Sequence, residues 1–359
     1  MKYQYWLANI LELYGAKQER ALKCCGSAEE LFHLSEKQMN LIYGLEEKDV
    51  GVLLESKKNW DLCGEYERFL EKHIGFVSKE MDNYPDKLKN IRNAPYALFF
   101  KGKLPDEERP AIAIVGARMC SDYGKAMAKS IACALAEREV QIISGMASGI
   151  DSFGHAGALM AEKDTYAVLG CGVEVCYPNS ARNIYEKIQE KGGVLSEFPP
   201  DLKPQSHFFP MRNRILSGLS DVVIVIEARK KSGSLITADF ALEQGKDIYV
   251  VPGRMTDPLS AGTNRLIRQG AGIIVSIEDL LKDLYLQTDK SGGKAQKTKN
   301  SLEKEESMVY SNLDLLPKNI DELMDETGLD VSSISAVLLK LQHKGMIEET
   351  FKNYYRLAY

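Results

Sequence analysis

Two apolar runs decide the fold: Ala111-Ile112-Ala113-Ile114-Val115, which ends at Gly116, and Val222-Val223-Ile224-Val225-Ile226. Uninterrupted aliphatic runs of this length are typical of parallel strands that are covered on both faces. Similar runs lie on either side of them, and we predict further strands at 141–143, 166–169, 193–195, 248–251 and 273–275. Segments with helical spacing separate the runs, at 124–138, 151–161, 181–191, 213–219, 235–244 and 263–268. This alternation predicts an α/β fold with a doubly wound, mostly parallel sheet.

Outward from the sheet, two changes in composition divide the chain of 359 residues. Residues 1–75 have helical spacing broken by glycines, which predicts a small helical domain, and the sheet domain extends over 76–286, with a short strand at 97–100 near its start. Residues 287–307 are rich in Lys, Ser, Gly and Gln, so we expect a flexible linker there. Residues 308–359 contain a helix-turn-helix pattern followed by a hairpin, which is typical of a winged-helix domain.

The overall composition excludes several classes of protein. No apolar run approaches the roughly 20 residues of a membrane helix, and the N-terminal residues lack the apolar core of a signal peptide. The seven cysteines are an odd number without a Cys-x-x-Cys pair, and no metal-ligand spacing is present. We therefore expect a reduced, cytoplasmic protein without a metal or cofactor. The net charge of −5 means that any polyanion would bind in a local pocket rather than over the whole surface.

Four predicted segments at the carboxyl edge of the sheet, where ligands of such folds bind, are rich in Gly, Ser and basic residues. The first contains Gly116, Arg118 and Ser121, and the second begins with Ser144 and Gly145. Free N–H groups at a helix start attract anions, and an Arg side chain adds donors for phosphate oxygens. In the second segment, we interpret Asp151 as an N-cap rather than as a catalyst.

The third segment, residues 208–214, places Arg212, Asn213 and Arg214 directly after Phe209. Phosphate contact combined with base stacking explains this pattern, and so does a phenylalanine core with structural salt bridges. The fourth, residues 227–237, has a Ser232-Gly233 turn after three basic residues at 229–231, which either bind the ligand or form a solvated rim. The convergence of all four segments on one edge predicts a ligand that carries phosphate.

Candidates for catalysis are few. His155 follows Asp151 by four residues, but a packed structural histidine is the preferred interpretation. Glu197 and Glu227 follow predicted strands and either reach the pocket or balance the arginines there. In the winged-helix segment, acidic residues surround the predicted recognition helix. A role in binding protein is therefore at least as reasonable as a role in recognising duplex DNA.

Residues 84–275 resemble, in order, the family of bacterial DNA-processing proteins called DprA or Smf. The shared motifs are Ile114-Val115-Gly116-Ala117-Arg118, Ser144-Gly145, Gly149-Ile150-Asp151, Phe209-Pro210, Arg212-Asn213-Arg214-Ile215, Ser232-Gly233-Ser234 and Val251-Pro252-Gly253. Where family members often have a Gly-Gly pair before the third strand, this chain has Glu162-Lys163-Asp164, so the geometry of that loop is open.

The resemblance implies a Rossmann-like core that holds single-stranded DNA during bacterial transformation, forms a homodimer and loads the RecA recombinase. It also implies that Arg118 and Ser121 bind backbone phosphate and that Phe209 stacks on or flanks a base. By the same carry-over, the remaining pocket residues are Ser144, Gly145, Arg212, Asn213, Arg214, Ser232 and Gly233.

Two hypotheses follow. The preferred one is a non-catalytic binder of single-stranded DNA that acts in recombination. The alternative is an enzyme on small nucleotides, of the phosphoribohydrolase type with a related sheet edge, in which Glu227 or Glu197 would act. The loop at 231–237 lacks the Pro-Gly-Gly-x-Gly-Thr turn of those enzymes.

Overall fold

The computed structural model describes residues 1–286, 304–313 and 317–357. These residues form two compact units, residues 1–287 and 288–359. Each unit is described by itself.

The first unit begins with six short helices, followed by a sheet with covering helices. The helices before the sheet are α1 (Lys2–Ala8), α2 (Ala16–Cys25), α3 (Ala28–His33), α4 (Glu36–Met39), α5 (Glu47–Asn59) and α6 (Leu62–Glu71), with a 3-10 helix at Leu11–Leu13. The strands are β1 (Gly75–Ser78), β2 (Ala97–Gly102), β3 (Ala111–Val115), β4 (Gln141–Ser144), β5 (Thr165–Val168), β6 (Gly193–Ser196), β7 (Val222–Val225), β8 (Asp247–Val250) and β9 (Gly272–Ile273). The remaining helices are α7 (Asp86–Lys89), α8 (Asp122–Ala136), α9 (Ile150–Met160), α10 (Arg182–Lys191), α11 (Phe208–Gly218), α12 (Gly233–Glu243), α13 (Ala261–Arg268) and α14 (Ile277–Asp283), with a 3-10 helix at Asn179–Ala181.

The nine strands of this unit that the structure describes lie in the order β1-β2-β6-β5-β4-β3-β7-β8-β9. Seven of them, from β6 to β9 in that order, pair in parallel. β2 pairs antiparallel with both β1 and β6. The predicted α/β fold is therefore confirmed, and the antiparallel pairs extend it at one edge.

The residues of β3 show why the sheet is covered on both faces. Ala111, Ala113 and Val115 contribute to one apolar cluster, which includes residues of α11 and α12. Ile112 and Ile114 contribute to another, which includes residues of α8 and α9. Because successive side chains of a strand point to opposite faces, an uninterrupted aliphatic run supplies both layers.

The N-terminal helices share a core with the sheet. Trp6 and Leu53 of these helices belong to the same buried cluster as Phe99 of β2 and Val194 of β6. Residues 1–287 consequently form one compact unit, and residue 75 marks a change from helices to strands within it.

The second unit has the helices α15 (Lys304–Asn312), α16 (Ile320–Thr327) and α17 (Val331–His343) and the strands β10 (Lys318–Asn319), β11 (Ile347–Phe351) and β12 (Tyr354–Leu357). Its sheet has the order β10-β12-β11, and its core includes Leu323, Ile334 and Leu341. The predicted helix-turn-helix and hairpin are thus present. The predicted linker at 287–307 falls outside the described residues as far as 303, but residues 304–307 are the first turn of α15 and not linker.

The loop before β5, whose geometry the sequence left open, contains a residue in the left-handed conformation. Glu162 adopts a φ of 55°, a conformation that is open to Gly but that L-residues other than Asn and Asp rarely take. The turn at Glu162-Lys163-Asp164 therefore carries a cost in backbone strain.

In the described ranges, no helix has both the length and the apolar composition needed to cross a membrane. Within the same ranges, no group of three or more His, Cys, Asp or Glu side chains could hold a metal ion. All seven cysteines are free thiols.

Candidate functional site

A cavity of about 350 Å³ opens at the carboxyl ends of β3, β4 and β7. β4 and β7 lie on opposite sides of β3, so the chain reverses its direction of progress across the sheet at this point. Crevices at such a switch point are the usual ligand sites of open α/β sheets. The position of the cavity therefore follows from the strand order.

The structure brings six of the ten predicted site residues to this cavity. They are Arg118, Phe209, Arg212, Asn213, Ser232 and Gly233. Other residues in its lining were not among the predicted binding residues: Ala147, Asp151, Ser206, Arg229, Lys231 and Thr237. Among the described residues that line the cavity, four are cationic and one, Asp151, is acidic.

Arg118 and Phe209 lie together in the cavity wall. The guanidinium carbon of Arg118 is 5.4 Å from the centre of the Phe209 ring, and Tyr177 packs on the same phenylalanine with 5.5 Å between ring centres. Arg118 is exposed, and no described acidic residue forms an ion pair with it. A cation over an aromatic face next to a half-buried ring suits a phosphate and an unpaired base.

Phe209, Arg212 and Asn213 belong to the first turns of α11, which begins at Phe208 and not at Asn213 as predicted. Their spacing of three and four residues places them on one face of the helix. Pro210 does not prevent this start, since the first turn of a helix does not use its N–H groups. The predicted third segment is therefore a helix rather than a loop.

Arg212 is buried and fixed by the loops around it. Its Nη1 donates to the carbonyl oxygen of Gly145 at 2.8 Å and also to that of Val168, and its Nε donates to Oδ1 of Asn213 at 3.1 Å. Burial lowers the pKa of Arg212 to about 10, so the guanidinium remains charged at neutral pH. Arg212 thus joins the loops after β4 and β5 and supplies positive charge to the cavity wall.

Asn213 and the Ser232-Gly233 turn form the opposite part of the wall. Nδ2 of Asn213 donates to the carbonyl oxygen of Gly233 at 3.3 Å, and the hydroxyl oxygens of Ser232 and Ser234 lie 2.8 Å apart. Ser232 is the N-cap residue of α12, so the positive end of that helix faces the same cavity.

The prediction that Asp151 caps α9 is wrong, because the N-cap residue of this helix is Gly149. The carboxylate of Asp151 instead accepts the N–H of Gly145 at 3.2 Å, within the loop that precedes the helix. Burial raises the pKa of Asp151 to about 6, and the charge of Arg212 and the nearby N–H groups oppose that rise. Asp151 therefore occupies backbone donors of the second segment that were predicted to hold phosphate.

Four predicted site residues lie outside the cavity lining and have structural partners. Ser144 Oγ donates to the carbonyl oxygen of Ile114 at 2.6 Å. The carbonyl oxygen of Gly145 accepts from Arg212, and the N–H of Gly145 donates to Asp151. Ser121 caps α8 and donates both its N–H, at 2.9 Å, and its hydroxyl to Glu227.

Arg214, the fourth, lies on the other side of α11. Its guanidinium makes two hydrogen bonds to Glu197, at 2.6 and 2.5 Å, and a third to the carbonyl oxygen of Asn93 at 2.8 Å. Both partners are buried. The salt-bridge interpretation left open by the sequence is therefore the correct one for Arg214, while Arg212 and Phe209 line the cavity.

The candidate catalytic residues are likewise engaged. Glu227 is bound by Ser121 and Glu197 by Arg214, and neither lines the cavity. His155 is fully buried and its Nδ1 lies 2.7 Å from the hydroxyl of Thr165, as expected of a packed structural histidine. Burial lowers the pKa of His155 to about 3, so the ring is neutral. No acid–base pair of the described residues faces the cavity.

Two family models match this chain. Residues 75–285 match DNA recombination-mediator protein A, and residues 293–350 match the DprA winged helix domain. The first match alone covers more than half of the chain.

Curated relatives and solved structures agree with these matches. The chain is 39% identical over 227 residues to DNA processing protein DprA of Streptococcus pneumoniae, covering 60% of this chain and 80% of the relative. It is 34% identical over 289 residues to protein Smf of Escherichia coli, covering 78% of this chain and 77% of the relative.

The X-ray structure of DprA from Streptococcus pneumoniae superposes with a TM-score of 0.71 at 34% identity, covering 79% of this chain and 98% of that one. A structure of the Helicobacter pylori protein, reported for its single-stranded DNA binding mode, superposes with a TM-score of 0.53 at 30% identity, covering 59% of this chain and 97% of that one. The order of the motifs, the doubly wound sheet and the winged-helix unit all fit these matches, and the chain therefore belongs to the DNA recombination-mediator protein A (DprA) family.

Proposed function

We propose that this chain binds single-stranded DNA at the cavity between β3, β4 and β7, acts in recombination without catalysis, and passes the strand to RecA. The observation that carries the proposal is the pairing of the exposed Arg118 with Phe209 in the wall of a cavity that contains four cations and one carboxylate. Phosphate contact gives affinity, and an aromatic ring accepts an unpaired base of any kind. Support also comes from the Helicobacter pylori relative, which binds single-stranded DNA.

The arrangement favours an unpaired strand over duplex. A base can reach Phe209 only if it is free of its partner, since paired bases are stacked within the helix. Arg229 and Lys231 lie in the loop after β7, and both are exposed. They are suited to follow the backbone of a strand whose base enters the cavity.

The alternative of a nucleotide-processing enzyme receives no support from the described geometry. Glu227 and Glu197, the carboxylates that it requires, already accept hydrogen bonds from Ser121 and Arg214. Asp151 lines the cavity, but it binds the backbone of its own loop.

The first experiment is a binding titration of oligo-dT and matched duplex with wild type, Arg118→Ala and Arg92→Ala. Arg92 is an exposed arginine near Lys246, at the opposite edge of the sheet where β8 begins, and it serves as the matched control. We expect Arg118→Ala to reduce the slope of log affinity against log salt by about 0.7, the value for one phosphate contact on a single strand. An unchanged slope, or duplex that competes as well as oligo-dT, would refute the proposal.

The partners need separate measurements. Mediation is tested by the rate of RecA filament formation on oligo-dT with and without this protein, and an unchanged rate would exclude it. The proposed homodimer, formed through the sheet-containing unit, predicts twice the monomer mass in light scattering. A monomer at all concentrations tested would contradict it.

A further inference from the structure

The loop that follows β8 is joined to the cavity wall by backbone hydrogen bonds. Ala228, at the start of the loop after β7, donates its N–H to the carbonyl oxygen of Leu259 at 2.7 Å. Gly262 donates in turn to the carbonyl oxygen of Ala228, also at 2.7 Å. The next residue along from Ala228 is Arg229, which lines the cavity. The two loops therefore form one continuous surface at the carboxyl edge of the sheet.

This loop presents Arg254 and Met255 to solvent on a fixed base. The side chain of Asn264 holds Gly253 by both of its backbone groups, donating to the carbonyl oxygen at 3.0 Å and accepting the N–H at 3.4 Å. Met255 is 96% exposed, and Arg254 is exposed with no ion pair to a described residue. The nearby carboxylate of Asp257 accepts the N–H of Leu259 at 2.8 Å.

Charge distinguishes the two sides of the cavity. The loops after β7 and β8, residues 227–234 and 251–260, contain four cations and two carboxylates, a net charge of +2. The loops after β5 and β6, residues 169–178 and 197–207, contain one cation and three carboxylates, but Glu197 is paired with Arg214 and Glu174 with Lys72, so that only Asp201 and Lys203 remain and their charges cancel. A polyanion that extends beyond the cavity is attracted to the first side, whereas the second side offers no net positive charge.

We propose that a single strand held in the cavity leaves it across the loop after β7 and that Arg254 binds a backbone phosphate outside the cavity, with Met255 in apolar contact with the adjoining base. This inference rests on the proposed function, because it continues the path of the same strand. It assigns a DNA contact to a loop that does not line the cavity and gives the bound strand a direction relative to the sheet.

The test compares Arg254→Ala with Lys203→Ala, an exposed cation in the loop after β6, on the opposite side of the cavity. With an oligo-dT of about 20 nucleotides, we expect Arg254→Ala to reduce the salt slope by about 0.7 and the affinity about threefold. Arg254→Lys keeps the charge and should retain the slope. Lys203→Ala should leave both quantities at the wild-type values. Circular dichroism spectra verify that each surface variant is folded.

Arg118→Ala, measured in parallel, separates the two proposals. If Arg118→Ala reduces the slope and Arg254→Ala does not, the cavity binds DNA but the path is wrong. A reduced slope for Lys203→Ala in place of Arg254→Ala would reverse the direction and also overturn the inference. If Arg254→Ala leaves DNA binding unchanged and impairs only RecA filament formation, the loop is a protein-binding surface. If neither Arg118→Ala nor Arg254→Ala changes the slope, the proposed function fails as well.

Discussion

Arg212 and Arg214 are two positions apart in the sequence, yet they belong to different environments. In a helix, residues two apart point to nearly opposite sides, so Arg212 faces the cavity and Arg214 faces Glu197. A sequence pattern of two arginines around an asparagine contains no information about which one finds an acid, because Glu197 comes from a different part of the chain. The helix thus directs Arg212 toward the cavity and Arg214 toward a buried ion pair that stabilises the fold.

The buried pair of Arg214 and Glu197 predicts a large loss of stability when one partner is removed. We expect Arg214→Met to lower the free energy of unfolding by about 3–5 kcal/mol, because the carboxylate of Glu197 is left buried without its partner. The double variant Arg214→Met with Glu197→Met should be less destabilised than the single one. Urea unfolding followed by fluorescence of Trp6 and Trp60 measures both, and a double variant as unstable as the single one would contradict this account.

His155 predicts a loss of stability in acid. Thr165 donates its hydroxyl proton to the carbonyl oxygen of Ile142, so it accepts from Nδ1 of His155, while Nε2 has no hydrogen-bond partner among the described residues. Burial lowers the pKa of His155 to about 3, below the ordinary value of 6.5. The folded state therefore stays neutral while the unfolded chain takes up a proton, and stability falls as the pH drops below about 6.5.

The expected slope from this group is about 1.4 kcal/mol per pH unit between pH 6 and 4. His155→Asn retains a donor for Thr165 and does not titrate. The difference in the free energy of unfolding between wild type and this variant should therefore change with that slope, and a constant difference across the range would show that His155 does not cause it.

Some residue roles are predictable from the sequence and others depend on tertiary contacts. Arg118 and Phe209 are predicted site residues that line the cavity, although the pattern around Phe209 by itself fitted a buried core as well as base stacking. Ser121 lies outside the cavity lining and donates its hydroxyl to Glu227, which is distant in sequence, so its predicted phosphate contact stays a prediction. For Arg229 and Lys231, the sequence did not decide between binding the ligand and forming a solvated rim. Only the loop conformation places these two residues in the cavity wall.

At the scale of elements, the strands are more predictable than the connections at the edge of the sheet. The runs at 111–115 and 222–226 correspond to β3 and β7 within one residue, since only buried parallel strands require such runs. The antiparallel pairing of β2 with β1 and β6 has no equally strong signal, because β1 has the sequence Gly-Phe-Val-Ser without an aliphatic run and follows a helical segment.

Substitution by alanine should have opposite effects on stability at Gly149, before α9, and at Gly233, in α12. Gly149 has a φ of 83°, and an added Cβ would lie 2.3 Å from the carbonyl oxygen of Ala117. Gly149→Ala should therefore destabilise the protein by more than about 1–2 kcal/mol, the cost of the left-handed conformation alone. Gly233, the first residue of α12, has open space around an added Cβ and an ordinary φ.

Gly233→Ala should consequently stabilise the protein by about 0.4–1 kcal/mol, because alanine reduces the freedom of the unfolded chain. Differential scanning calorimetry of both variants makes the comparison. Equal effects of the two substitutions would show that the backbone conformation at Gly149 is not the constraint that we describe.

At the scale of the whole molecule, the cavity and the winged-helix unit are separate in the sequence. The residues that line the cavity lie between 115 and 237, entirely within residues 1–287. The described side chains of the second unit include nine acidic residues and five cations, and the ion pairs between them include Lys318 with Glu326, Lys344 with Glu306, and Arg356 with Glu348. Val331 and Leu339 of α17 and Phe351 of β11 are exposed. An acidic surface with exposed apolar residues favours contact with protein over contact with phosphate. The sequence alone had left both roles of the winged-helix unit open.

These charges predict that a variant that ends at residue 287 retains binding to single-stranded DNA. The salt slope with oligo-dT should match that of the full chain, because the phosphate contacts that we propose lie in the first unit. Residues 288–359 contain twelve carboxylates and ten cations, a net charge of −2, so their removal should leave the affinity close to that of the full chain. Trp6 and Trp60 are the two tryptophans of the chain, so fluorescence establishes directly that the first unit is folded in the shortened variant. A shallower salt slope after this truncation would mean that residues 288–359 bind phosphate themselves, and the assignment of all phosphate contacts to the first unit would be wrong.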